Sequence, residues 1–304
     1  MNPTPSWNLI TDVQQMMAYT FMVNAVRAGA IVAVLSGAVG WLMVLRRESF
    51  AGHTLAVVGF PGAAAAAWLG APIGSGYFVA CVAAAAVLAW WAPGTAAGTA
   101  AEFGEQSAVI GTVQAVALAT GLLFVSLYHG FLSGLTNLLF GTIAGVSSSQ
   151  VVVLLVAAVI CVITLAAVGR PLLWTSIDPA TAAAQGIPTR LVAVIFLLVL
   201  GVAAAGASQV TGSLLVFALL VCPPAAAQRL TARPSLGIAL SALIALAVTW
   251  VGMGFAFFTP YPIGFWVSSF AYATYLAATG YRAVLDRSHQ RVSRSPAPEA
   301  LAST

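Results

Sequence analysis

Long apolar runs, rather than alternation, organise this chain. Nine stretches are long and apolar enough to cross about 30 Å of hydrocarbon, which takes about 20 residues of helix. They fall at roughly 21–45, 52–70, 76–92, 108–128, 150–169, 191–207, 210–226, 235–258 and 264–281. Continuous apolarity of this length predicts spanning helices, because barrel strands alternate in segments of about 10 residues. The expected fold class is an all-α integral membrane protein, a polytopic helical bundle of 8–9 transmembrane helices. The count is open at 207–210, where the sixth and seventh runs nearly merge.

The flanks read differently. Within residues 1–20, Trp7, Ile10, Val13 and Met17 share one helical face, which fits a short interfacial helix; a frayed terminus is the other reading. The stretch lacks the basic start and short apolar centre of a secretory signal, so no cleavage is expected. Residues 21–282 form the expected transmembrane domain. Residues 283–304, basic and then Pro/Ala/Ser-rich, are expected to be a disordered tail with His289 as a bystander.

Composition agrees with the runs. Of 304 residues, 61% are apolar and 6% are charged, against about 45–50% and about 25% in soluble domains. Cys81, Cys161 and Cys222 are odd in number, widely spaced and embedded in apolar runs, so they read as packing residues rather than a disulfide or zinc framework.

Charge adds the topology. The net charge is +4, and all 11 basic residues are arginine. With nine crossings and the N-terminus outside, Arg46, Arg47, Arg170, Arg190, Arg229, Arg233, Arg282, Arg287, Arg291 and Arg294 all fall on one side. The positive-inside rule makes that side, and the C-terminus, cytoplasmic. Arg27 alone lies inside a span, about two turns from its outer end, where it is either a functional charge or a side chain snorkelling to the interface. The outer gap 128–150, "YHGFLSGLTNLLFGTIAGVSSSQ", is glycine-rich and partly apolar, a candidate re-entrant segment.

Chemistry is scarce. Without lysine the chain cannot carry a P-loop, whose lysine reaches the β- and γ-phosphates, so it is not its own ATPase of that kind. His53, His129 and His289 are far apart, and no HExxH or GxSxG occurs. Glu102 and Glu105 are placed in one cytoplasmic loop and Asp178 in another, so no acid sits at the bilayer midplane where a proton-driven carrier needs one. Neither an enzyme nor a self-contained pump is expected, and nothing points to nucleic acid.

What remains is backbone. Pro61 and the pair Pro223/Pro224 remove helical hydrogen bonds inside two spans, and are expected to kink or break them. The freed carbonyls then either find neighbours or line a pathway. "LAVVGFPGAAAAA" (55–67) and "LLVFALLVCPPAAA" (213–226) echo each other faintly, as repeated transporter halves do. Gln209 and Thr211 are polar candidates near the merged turn. In "GRPLLWTSIDPATAAAQGIPTR" (169–190), Asp178 is placed to cap a short helix with Pro179 in its first turn. Gly186 stands in a C-cap position and Pro188 just beyond. A helix built so carefully in a connector is a candidate contact for a cytoplasmic partner; an ordinary connector is the bland reading.

Several blocks together resemble the permease subunit of bacterial ABC importers for divalent transition metals, the zinc and manganese uptake family. They are "FMVNAVRAGAIVAVLSGAVGWLMVLRRESFAG", "LLFGTIAGVSSSQV", "GRPLLWTSIDPATAAAQGIP" and "QVTGSLLVFALLVCPPAAAQRLTAR", in order over residues 21–282. The resemblance implies an ABC importer permease fold in the bacterial plasma membrane. It implies a homodimer, a cytoplasmic ABC ATPase subunit and an extracytoplasmic metal-binding protein. It implies no stably bound cofactor, only Zn²⁺ or Mn²⁺ as cargo, with zinc favoured because imidazole suits it. It gives Asp178, Pro179, Ala183, Gly186 and Ile187 the role of a coupling helix that docks on the ATPase.

One departure stands out. The family's Ser-Phe-x-Gly-Asp-Ala-Leu-x-His places Asp and His four residues apart on one helical face, an arrangement suited to Zn²⁺ or Mn²⁺. Here His53 occupies the Asp position and Val57 the His position. His53 is either one metal contact per subunit, with Thr54, Pro61, Gln209, Thr211 and Pro223 as further pathway residues, or a polar residue at a helix end. A secondary transporter of a small metabolite is the alternative function, and a structural membrane protein a third.

Overall fold

The structure is a computed structural model that describes residues 8–91, 100–127, 146–212 and 216–293. Eleven helices run through them: α1 (Leu9–Met17), α2 (Thr20–Leu45), α3 (Ser49–Trp68), α4 (Ile73–Trp91), α5 (Ala100–Leu127), α6 (Ser148–Ile177), α7 (Pro179–Ala184), α8 (Thr189–Thr211), α9 (Val216–Leu230), α10 (Pro234–Phe258) and α11 (Ile263–Ser293). Each of the nine apolar runs has its helix. Seven of these helices are long and apolar enough to span, and α9 is a shorter apolar helix of 15 residues.

The starts follow sequence chemistry. Asn8 caps α1 by accepting from the Ile10 N–H. Ser147 opens α6 with a capping box: its Oγ accepts from the Gln150 N–H while Gln150 Oε1 accepts from the Ser147 N–H. Asn24 on α2 donates to Val146 O and to Ser148 Oγ, tying α2 to that start. In α1, Ile10, Val13 and Met17 are exposed together on one face while Met16 packs inward.

Helices α2, α3 and α8 form the buried centre. Around it α4 and α5 pack on α3, α10 and α9 on α2, α6 on α2 and α8, and α11 on α9 and α10. The most apolar stretches of α5 and α6 are only 11% and 17% buried, so these two helices turn broad apolar faces outward, as lipid-facing helices do. Small residues let the central helices approach closely. A Cβ on Gly62 would overlap the Gly76 carbonyl of α4, and one on Gly76 would overlap the Gly62 carbonyl. Gly37 lies against the backbone of Ser241 and Ala242, and its carbonyl accepts from Ser241 Oγ at 2.8 Å. Cys81 and Cys161 are buried free thiols and Cys222 is partly buried.

Three boundaries differ from the sequence expectation. The prolines do not break their helices: α3 continues through Pro61 and α9 through Pro223 and Pro224. The interruption lies instead at Gly212, which closes α8 with φ +82°, a conformation that glycine adopts without steric cost. Glu102 and Glu105 belong to the first turns of α5, not to a loop. The last helix runs to Ser293, well into the stretch read as a disordered tail, with an exposed Arg282–Asp286 pair one turn apart. Residues 294–304 and most of the outer gap, 128–145, lie outside the described residues. Arg27 is exposed on α2.

Candidate functional site

The expected pathway residues do not form one cluster. His53 sits in the second turn of α3, half-buried, with its ring 4.9 Å from the Phe217 ring of α9 in an edge-on arrangement. Its Nδ1 is buried and has no hydrogen-bond partner. Thr54, the next residue, is fully buried and faces a different helix: its Oγ1 donates to Gln114 Oε1 on α5 at 3.1 Å. Val57, one turn above His53, is buried and apolar. Among the described residues no group of three or more His, Cys, Asp or Glu could hold a metal ion.

The interruption between α8 and α9 lies beside this part of α3. Ser208, four residues before Gly212, is buried and donates to Ala204 O at 2.7 Å and, at 3.5 Å, to Ala56 O of α3. Phe217, in the first turn of α9, meets His53. Ser208 lies twelve residues up α8 from Phe196, about 18 Å of helix. The two helices that meet at this discontinuity therefore flank His53 and Ala56 inside the bundle. Gln209 leans elsewhere: its Oε1 lies beside Gly74 at the start of α4, and its Nε2 turns back to Ala205 O. The side chain of Thr211 lies outside the described residues.

The prolines supply carbonyls rather than breaks. Pro61, Pro223 and Pro224 lack the N–H that would bond the carbonyl four residues earlier, so the carbonyls of Val57, Leu219 and Leu220 each lose their usual helical donor. The Leu220 carbonyl faces Gly40 of α2 so closely that a Cβ there would overlap it. Pro61 packs beside Gly121 of α5. Pro223 is buried two turns along α9 from Phe217.

The second site lies at the arginine-bearing end. Helix α6 has 30 residues, about 45 Å, so it outruns the hydrocarbon and carries α7 beyond it. Asp178 caps α7: its Oδ1 accepts from the Thr181 N–H at 3.0 Å and its Oδ2 from the Thr181 hydroxyl at 2.6 Å. These bonds hold the exposed Asp178 carboxyl below its ordinary range. Pro179 occupies the first turn. Gly186, at φ +79°, closes the helix: its N–H reaches Ala183 O and the Ile187 N–H reaches Ala182 O, the paired bonds of a Schellman motif. Ala182 is buried under the helix while Ala183, Ile177 and Trp174 are exposed. The structure thus brings Asp178, Pro179, Ala183, Gly186 and Ile187 together as one short capped helix.

Between the two sites lies a junction whose adjacent charges stand out in the sequence but whose partners the sequence did not reveal. Arg46 and Glu48, in the turn between α2 and α3, are 6% and 8% exposed. Arg46 donates from Nε and from NH2 to the same Glu48 Oε1, at 3.0 and 2.9 Å. Burial pushes the Glu48 carboxyl above its ordinary range, and Arg46 offsets part of that. The adjacency of Arg46, Arg47 and Glu48 in so poorly charged a chain was the available signal. Gln114, a lone amide in an apolar span, was the signal for the partner of Thr54.

The model of the ABC 3 transport family matches residues 18–281. The chain belongs to the ABC 3 transport family. It is 26% identical over 249 residues to the manganese transport system membrane protein MntC of Halalkalibacterium halodurans, covering 82% of this chain and 83% of that protein. It is 27% identical over 215 residues to the chelated iron transport system membrane protein YfeC of Yersinia pestis, covering 71% and 70%. The structure of PsaBC from Streptococcus pneumoniae in complex with Fab aligns with a TM-score of 0.77 at 22% identity, over 89% of this chain and 95% of that one. The fold is that of an ABC importer permease, a multi-pass membrane subunit.

Proposed function

We propose that this chain is the permease of an importer that takes up a divalent transition metal ion, with ATP hydrolysed by a separate cytoplasmic subunit docked on α7. The carrying observation is α7 itself. A six-residue helix with both ends capped, held beyond the hydrocarbon by an overlong α6, with Ala183, Ile177 and Trp174 exposed around it, is built as a contact surface. The chain has no lysine for a P-loop, so it is not its own ATPase of that kind and needs a separate one. An extracytoplasmic metal-binding protein on the opposite face and a second copy of the permease complete the proposed assembly in the bacterial plasma membrane, the C-terminus being cytoplasmic.

The cargo is argued from the relatives and from His53. Relatives named for manganese and for chelated iron support a transition metal, and they put manganese first among the ions to test. The imidazole of His53 suits zinc as well. His53, with an unpartnered Nδ1 beside a discontinuous helix pair, is the proposed contact of the passing ion; a homodimer would supply two such imidazoles. Of the other pathway residues, Thr54 supports α3 through Gln114, and Pro61 and Pro223 each remove one helical donor.

The test is uptake of radioactive manganese and zinc into vesicles holding the permease with its ATPase and binding protein. An ATPase-dead complex is the control. ATP-dependent uptake of either ion that drops in His53→Ala supports the whole reading. Uptake by the permease alone would sink it in favour of a secondary transporter.

A further inference from the structure

We propose that Arg46 and Glu48 are positioning residues that transmit the movement of α7 to the helix bearing His53, and that they do so by exchanging the partners of one guanidinium. This rests on the reading of α7 as the ATPase contact.

Arg46 touches every element the transmission needs. Its NH1 donates to Ser176 Oγ at 3.4 Å, on α6 two residues before the Asp178 cap of α7. Its guanidinium lies 5.2 Å from the Phe196 ring centroid of α8. Its Nε and NH2 hold Glu48, the residue that starts α3 and whose carbonyl accepts from the Gly52 N–H, directly before His53. One buried side chain therefore links the root of α7, the helix leading to Ser208, and the first turn of α3.

The junction is made to move. Arg47, between the two charges, has φ +60°, a left-handed conformation that L side chains rarely adopt and that strains the turn. The Glu48 N–H still closes back to Met43 O, so the strain is held by a tight helix-ending turn. Glu48 Oε2 is buried with no hydrogen-bond partner, while Oε1 receives two N–H groups. A guanidinium and a carboxylate normally pair as a two-oxygen fork. Here Nε and NH2, the two donors of that fork, converge on Oε1 alone, while the NH1 bond to Ser176 holds the guanidinium plane at a tilt that leaves Oε2 outside. Withdrawal of the end of α6 would release Ser176 and let the guanidinium close on both oxygens, tilting Glu48 and with it the start of α3. The exchange offers two discrete arrangements of one contact set, which energetic coupling across a bundle requires.

The experiment uses the full importer in lipid, permease with ATPase, and reads amide hydrogen exchange before and after ATP-driven engagement. Wild type is expected to change its protection both at α7 and at residues 46–56. Ser176→Ala removes only the cross-helix acceptor, and Arg46→Lys keeps the charge but cannot hold Ser176 and both carboxylate oxygens. Both variants avoid the unpaired buried charge that could keep Glu48→Ala from folding. In each, the change is expected to be confined to α7, with ions moved per ATP falling severalfold. A change at 46–56 that persists in both variants, or is missing in wild type, would overturn the exchange. Absence of ATP-dependent uptake in wild type would instead sink the importer reading, and failure of the ATPase to bind would sink both.

Discussion

Replacing Gly40 by alanine sets two effects of opposite sign against each other. Alanine in a helix interior is favoured over glycine by about 0.5–1 kcal/mol, so on α2 alone the change should stabilise. Gly40, however, faces α9, where its new Cβ would overlap the Leu220 carbonyl oxygen and lie 2.8 Å from Pro224 Cγ. Neither neighbour is the free end of a flexible side chain: one is backbone and the other a ring locked into the helix. Relief requires the two helices to part, and overpacking of this kind costs about 1–3 kcal/mol. The same seam carries the bond from Gln228 Nε2 to Trp41 O, 2.8 Å long and one residue further along α2. Stretching it removes up to about 1 kcal/mol more. The net expectation is a loss of about 1–3 kcal/mol. Gly280→Ala is the matched control, because nothing lies within 4 Å of its added Cβ on α11; that change should stabilise by about 0.5–1 kcal/mol. Thermal unfolding in detergent, followed for both variants beside wild type, reads the difference as shifts of opposite sign. If Gly40→Ala melts with or above Gly280→Ala, α2 and α9 are not in backbone contact and the tight seam is wrong.

Arg46→Met leaves Glu48 buried without its cation and should cost about 3–5 kcal/mol, whereas Arg46→Met with Glu48→Met should fall near wild type; equal losses in a denaturant series would contradict a buried pair. Arg47→Gly should stabilise by about 1 kcal/mol, since glycine takes φ +60° freely, and an unchanged melting temperature would count against strain in that turn. Asp178 is held below its ordinary range in the folded chain. Its stabilisation of α7 is therefore present above the unfolded value, about 3.9, and is lost as pH falls through the folded value. Exchange of the Thr181 amide should speed up on that descent in wild type and be pH-independent, after correction for intrinsic exchange, in Asp178→Asn. His53→Ala should lower metal uptake while leaving ATPase docking intact, measured by co-purification of the two subunits.

Much of this was legible in the chain because the membrane makes local signals decisive. With no water to satisfy backbone groups, each apolar run had to become a helix, and each did. Asp178, Pro179 and Gly186 were readable because capping is local: donors and acceptors lie within five residues of one another. What stayed hidden was non-local. Gly212 interrupts α8 and α9 while three prolines do not, because neighbouring helices support a proline-containing turn and no sequence window contains those neighbours. Thr54 and Gln114 stand 60 positions apart, and Arg46 and Ser176 stand 130 apart. The tail was misjudged for a different reason. Composition marked the segment as polar, but polar residues still continue a helix already nucleated in the bundle, as they do here to Ser293.

The placement of charge argues that the Arg46–Glu48 junction is there to move rather than to stabilise. A buried ion pair is at best neutral against apolar residues of the same size, because desolvating two charges offsets their attraction. The pair also leaves Glu48 Oε2 without a hydrogen-bond partner, a further cost that apolar residues would avoid. Static holding of α2 on its neighbours is already provided by Gly37, Gly40 and the Gln228–Trp41 bond. The junction adds little to that hold. It does contribute an element with more than one satisfiable arrangement, sited between a helix built to be gripped from outside and a helix whose histidine keeps a buried Nδ1 without a hydrogen-bond partner.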